Sequence, residues 1–146
     1  MTLTNAQRSI VQMTFNQVVD ADKLAERFYT RLFEIDSTTK SLFQGDMMEQ
    51  RIKLIQTLTV VVGSLNNLSA IVPAIENLGK RHVTYGVTID HWNSVGAALL
   101  WALEDAFGSV FTPEVRDAWA AAYGLIAQTA ITAAYPKDKE LFLSLP

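Results

Sequence analysis

Apolar residues recur along this chain at steps of three and four, the period of a helix with one buried face, and nowhere alternate as a half-buried strand would. Thr4 and Gln7 have the spacing of a capping box, and Ile10, Val11, Phe15 and Val18 follow as a stripe that ends near Asp20, which predicts a first helix. Leu24, Phe28, Leu32 and Ile35 predict a second over about 22–35, with Tyr29 beside its inward face. Asp36, Ser37, Thr38 and Thr39 are side chains that cap or break helices. A short helical turn is therefore expected to lead to Leu42 and Phe43, before Gln-Gly-Asp makes a corner.

A third long helix is predicted over about 47–65, where Gln50, Leu54, Leu58, Val61 and Leu65 share one stripe, so that a single amide heads an apolar face. Asn66 and Asn67 break it, Ser69 is placed to cap the next helix, and Pro73 is tolerated in a first turn, where no amide donor is needed. That next helix carries Ile71, Ile75 and Leu78 toward His82 and stops near Gly86. The His82 imidazole thus falls on the buried stripe, apart from Glu76, Lys80 and Arg81. Thr88 or Asp90 opens a long helix with Val95, Leu99, Ala102, Leu103 and Phe107 inward, closed by Gly108. Thr112, Pro113 and Glu114 open the last, with Val115, Trp119, Tyr123, Ile126 and Ala130 inward until Pro136. The reading is all-α, about seven helices of unequal length, and their short corners suit angled packing better than an up-and-down bundle.

A chain of 146 residues is read as one domain, 1–146, able to bury a single sizeable core. Its 49% hydrophobic content lies in short periodic groups, none long enough to span a bilayer, and the N-terminus lacks the pattern of a secretory signal. A soluble, cytoplasmic protein is expected. The absence of cysteine excludes a disulfide, a thiolate metal ligand, a thioether-linked cofactor and a thiol nucleophile. A net charge of -3 with scattered Lys and Arg offers no stripe for a phosphate backbone, so nucleic acid is not an expected partner. Phosphate loops and the short motifs of common hydrolases are missing, and two histidines, His82 and His91, are too few for a His-rich metal site. After Pro136, Leu141, Phe142, Leu143 and Leu145 form an apolar tail that either folds back on the core or meets a second subunit, which leaves monomer and homodimer both open.

A lone histidine on an apolar stripe fits a packed core residue bonded to a neighbouring carbonyl as well as it fits a ligand. Its company decides. Tyr29, Phe43, Gln50, Leu54 and His82 stand in one order, with Leu-Gly-Lys-Arg-His-Val-Thr-Tyr-Gly-Val around the histidine. His91-Trp92-Asn93-Ser94-Val95-Gly96 and Ala118-Trp119-Ala120-Ala121-Ala122-Tyr123-Gly124 follow. In these stretches the chain resembles the globins, in particular the bacterial single-domain globins related to the haem domain of flavohaemoglobins, and is most similar to the thermophilic type with a distal tyrosine and glutamine. The resemblance covers the chain from the first helix to about Ala134.

The resemblance implies a globin fold around a haem crevice, with non-covalent haem b and its iron held by His82 as axial ligand. The other ring nitrogen of His82 is then expected to donate to the Leu78 carbonyl, which fixes tautomer and ring orientation. Phe43 is expected to pack flat on the porphyrin, and Leu54, Leu78, Val87 and Val95 to line the same crevice. Tyr29 and Gln50 are expected to donate hydrogen bonds to oxygen on the distal side. His91 is read as a helix-start residue without a haem role. Arg51, Lys53, Lys80 and Arg81 are the basic candidates for the propionates, none of them singled out.

In flavohaemoglobin-type domains a Tyr and a Glu stand behind the proximal histidine, and the matching positions here hold Trp92 and Ala134. The implied function is reversible binding of oxygen, with CO and NO as further ligands, in storage, delivery or scavenging. The alternatives are nitric oxide dioxygenation with an external reductase, because the chain has no room for flavin and nicotinamide domains, and a haem-based gas sensor module.

Overall fold

Side-chain caps mark most helix starts in the computed structural model of the protein, which describes residues 3–43 and 45–135. Thr4 and Gln7 form the expected capping box ahead of α1 (Asn5–Asn16): the Gln7 amide donates to Thr4 Oγ1 at 3.1 Å and the Thr4 amide to Gln7 Oε1 at 3.0 Å. Asp20 caps α2 (Ala21–Ile35), Asp46 caps α3 (Met47–Gly63) and Thr112 caps α6 (Pro113–Ala134), each accepting from a first-turn amide. Between them lie α4 (Val72–Thr84) and α5 (Ile89–Phe107). Short 3₁₀ segments run over Ser37–Leu42, Leu65–Ala70 and Gly108–Val110, and no strand occurs among the described residues. The apolar tail around Leu141, Phe142, Leu143 and Leu145 lies outside the described residues.

Three local expectations are corrected. Ile35 is 41% exposed, because α2 ends on it and the chain turns away at Asp36, so the inward stripe stops at Leu32. The third helix stops at Gly63, and Asn67 departs from helical dihedrals inside the 3₁₀ segment that follows. Ser69 does not cap α4: it belongs to that segment, Ile71 takes the cap position, and the Ser69 hydroxyl donates to Asn67 Oδ1 at 3.3 Å.

The apolar stripes meet as predicted. Leu24, Phe28 and Leu32 of α2 pack on Leu99 and Leu103 of α5, with Val11, Leu65 and Trp119 completing the larger core. Burial of a Leu such as Leu32, Leu65 or Leu103 contributes about 1.5–3 kcal/mol each. One buried polar link crosses this core: Trp119 Nε1 donates to Thr14 Oγ1 at 2.9 Å, and Thr14 returns its proton to the Ile10 carbonyl at 2.7 Å, which ties α6 to α1. A smaller cluster of Ile75, Trp92, Ala127 and Ala130 joins α4, α5 and α6. The cavity described below is walled by both clusters.

Two helix crossings depend on glycine. A Cβ at Gly79 would collide with the backbone of Ala130, and one at Gly96 would lie 2.7 Å from the Tyr123 ring. Gly124, within α6, has open space where a Cβ would go. Gly79→Ala is therefore expected to destabilise the fold by about 1–3 kcal/mol through overpacking. Gly124→Ala should stabilise it by about 0.5–1 kcal/mol, because a helix prefers alanine. Urea unfolding of the two variants beside the wild type measures both signs.

Candidate functional site

His82 stands in the last turn of α4, and its Nδ1 lies 2.6 Å from the Leu78 carbonyl oxygen. A carbonyl only accepts, so Nδ1 carries the proton, and in the neutral ring Nε2 keeps a free lone pair. Burial pushes the imidazole pKa below its ordinary value, the Leu78 hydrogen bond opposes that shift, and the Arg81 charge adds to it. The neutral, ligand-competent form is therefore favoured. The Trp92 indole lies behind the ring, with centroids 5.5 Å apart and planes at 43°, and Tyr85 stands 6.0 Å away.

The cavity that His82 lines measures about 740 Å³ and gathers all eight residues singled out from the sequence: Tyr29, Phe43, Gln50, Leu54, Leu78, His82, Val87 and Val95. Its remaining wall is mainly apolar, including Leu32, Leu58, Val61, Ile75 and Leu99. The polar residues that line it include Lys53, Gln56, Thr57, Arg81 and Tyr85, all exposed. Among the described residues no group of three or more His, Cys, Asp or Glu side chains is placed to hold a metal ion. A metal held by His82 must therefore bring its other ligands with it, as a macrocycle does.

Tyr29 places a buried phenol in the cavity wall. It is 8% exposed, and edge contacts from Phe28 at 4.9 Å and Phe43 at 5.3 Å hold its ring. Its hydroxyl donates to the Gln50 backbone carbonyl over a loose 3.4 Å, so the proton is only weakly engaged. The Gln50 side chain is half-buried and makes no hydrogen bond to another described residue. The Tyr29 hydroxyl and the Gln50 amide thus both have donors to offer a molecule in the cavity.

The sequence reading missed the support behind these residues. The Tyr123 hydroxyl donates to the Trp92 carbonyl at 2.5 Å and the Tyr135 hydroxyl to the Val87 carbonyl at 2.6 Å, so α6 holds both segments beside His82. The available signal was a tyrosine on the inward stripe of α6, Tyr123, and a second just past its end, Tyr135. His91 also does more than start α5. It lines the cavity, and its Nδ1 accepts from the Thr88 amide at 3.0 Å.

A model of the Globin family matches residues 26–130. The chain belongs to the globin family. It is 29% identical over 113 residues to a flavohemoprotein of Bacillus subtilis, an alignment that covers 75% of this chain and 28% of the relative. A flavohemoprotein of Rhodopirellula baltica is 29% identical over 85% of this chain and 31% of its own length, and one of Bordetella parapertussis is 32% identical over 75% and 28%. The globin thus spans less than a third of the length of these curated relatives. Among solved structures it is similar to an engineered carbene transferase made from a Rhodothermus marinus protein assigned as a nitric oxide dioxygenase. The TM-score is 0.84 at 26% identity, over 97% of this chain and 99% of the other. No helix among the described residues is long and apolar enough to cross a membrane.

The buried Tyr29 gives a pH signature. Burial pushes its pKa from 10.0 up to about 12, so the unfolded chain ionises this phenol first. The stability it contributes is intact below pH 10 and is lost as pH rises toward 12. Tyr29→Phe should flatten that loss by about 2 kcal/mol, read as the difference between urea midpoints of mutant and wild type at pH 9 and above pH 11.

Proposed function

We infer that this globin binds a diatomic gas reversibly at the iron of a non-covalently held haem b, with His82 as the axial ligand. The reading is carried by one arrangement: an imidazole whose Nδ1 proton is committed to Leu78, in a mainly apolar cavity shared with the hydroxyl of Tyr29. Haem iron supplies the open coordination position at which a gas binds. Phe43, Leu54, Leu78, Val87 and Val95 supply apolar contact to the macrocycle and exclude water from it. The exposed cations at the edge of the cavity, Lys53 and Arg81, are suited to its carboxylates.

On the distal side the work falls to Tyr29 and Gln50. With haem bound, the phenol of Tyr29 and the amide of Gln50 would favour a gas that takes on negative charge, such as oxygen, over one that takes on little, such as carbon monoxide. A hydrogen bond to a charged acceptor is worth about 1.5–3 kcal/mol, or about tenfold to a hundredfold in affinity. This supports oxygen storage, delivery or scavenging. A second reading, nitric oxide dioxygenation with a separate reductase, is favoured by what the Rhodothermus structure is assigned to do.

His82→Ala is expected to abolish stable haem uptake, measured by titration of the apoprotein in visible absorbance. Tyr29→Phe should retain haem and release oxygen about tenfold to a hundredfold faster in stopped flow, with carbon monoxide release nearly unchanged. Sustained consumption of nitric oxide in the presence of a reductase system, in place of a single conversion, would establish the second reading.

A further inference from the structure

At the edge of the cavity, the side chains of His91, Thr38, Asp36 and Ser94 form a chain of hydrogen bonds in which the protons of His91 and Thr38 can be placed. The Thr88 amide donates to His91 Nδ1 at 3.0 Å, which leaves the proton of the neutral ring on Nε2. That nitrogen lies 3.2 Å from Thr38 Oγ1, and the Thr38 hydroxyl is 2.5 Å from Asp36 Oδ1. A hydroxyl has one proton to give. Thr38 therefore donates to the carboxylate and accepts from His91. Asp36 also receives the Thr38 amide at 3.1 Å and the Ser94 hydroxyl at 3.3 Å. The imidazole and the carboxylate are 12% and 24% exposed, and Thr38, which links them, is exposed.

The position of this chain gives it a use. Asp36 and Thr38 open the 3₁₀ turn that carries Thr39, Leu42 and Phe43 into the cavity wall, and His91 and Ser94 belong to the first turns of α5, which carries Val95 into the facing wall. Among the described residues, the bonds from His91 to Thr38 and from Ser94 to Asp36 are the side-chain hydrogen bonds that join these two segments. A group seated between these walls without a covalent bond is held longer when the walls are tied together.

We propose that Asp36, Thr38 and His91 form a latch between the Phe43 turn and α5 that sets how long haem stays in the crevice, an inference that rests on the haem-binding reading above. His91 is a positioning residue in this role. It has two separable tasks, capping α5 through Nδ1 and closing the latch through Nε2.

The experiment measures haem release from the loaded full-length protein to an excess of a high-affinity apoglobin acceptor, alongside the thermal midpoint of each apoprotein. Thr38→Val removes the hydroxyl at an exposed site and leaves the α5 cap alone. His91→Gln keeps an acceptor for the Thr88 amide, as in a capping box, and has no second ring nitrogen for Thr38. Thr38→Ser keeps the hydroxyl. Release about five- to tenfold faster in Thr38→Val and His91→Gln, a wild-type rate in Thr38→Ser and unchanged apoprotein midpoints support the latch. Release within twofold of wild type in Thr38→Val overturns it and leaves the haem reading standing. Faster release matched by a lowered apoprotein midpoint overturns it in favour of general destabilisation. A wild-type protein that takes up no haem overturns the functional reading and the latch with it.

Discussion

The close approach of α4 to α6 at Gly79 is the constraint on which the site depends. The backbone of Ala130 occupies the space that any side chain at position 79 would need. His82 follows less than one helical turn later, so its imidazole leaves α4 just beside that contact. The same α6 reaches α5 through Tyr123, whose ring fills the space a side chain at Gly96 would take and whose hydroxyl holds the Trp92 carbonyl. One helix thus sets the positions of both the imidazole and the indole behind it. Burial raises the Tyr123 pKa, so this strut stays protonated and able to donate.

The opposite wall answers to a different cost. A phenol hydroxyl in an apolar wall is desolvated, and a well-made hydrogen bond would offset that cost. Among the described residues Tyr29 has only the loose bond to the Gln50 carbonyl, so its donor capacity is weakly engaged. Rigidity of the ring between Phe28 and Phe43 and looseness of its proton together make a donor that is positioned but available. A tighter bond to the backbone would have stabilised the fold and weakened the site.

Much of this was legible in the sequence because it rests on local periodicity. His82, Leu78 and Ile75 follow from the stripe of one helix, and the Leu78 bond follows because a histidine reaches the carbonyl one turn back. Cavity membership for Tyr29, Phe43 and Gln50 came from the resemblance. What was not legible depends on contacts distant in sequence: Tyr123 with Trp92, Tyr135 with Val87, and Thr38 with His91 are each separated by 31 to 53 residues. Ser69 failed as a cap for a local reason, since the chain spent that residue on a 3₁₀ segment that composition alone does not distinguish from a loop.

The surroundings of His82 bear on which of the two functional readings fits better. Its Nδ1 proton goes to a neutral backbone carbonyl. The flavohaemoglobin-type positions for a Tyr and a Glu hold Trp92 and Ala134, and neither can accept that proton through its side chain. The indole Nε1 of Trp92 is itself buried without a partner among the described residues, which costs about 1–3 kcal/mol that the packing of the ring must offset. A histidine bonded to a neutral carbonyl stays an ordinary imidazole, whereas an anionic partner would draw it toward imidazolate and make it a stronger electron donor. Electron donation from the axial ligand favours cleavage of bonds in a bound molecule, as the thiolate ligand of other haem proteins does. Under the reading proposed above, a neutral partner for Nδ1 would suit holding a bound gas intact, as the donors of Tyr29 and Gln50 would.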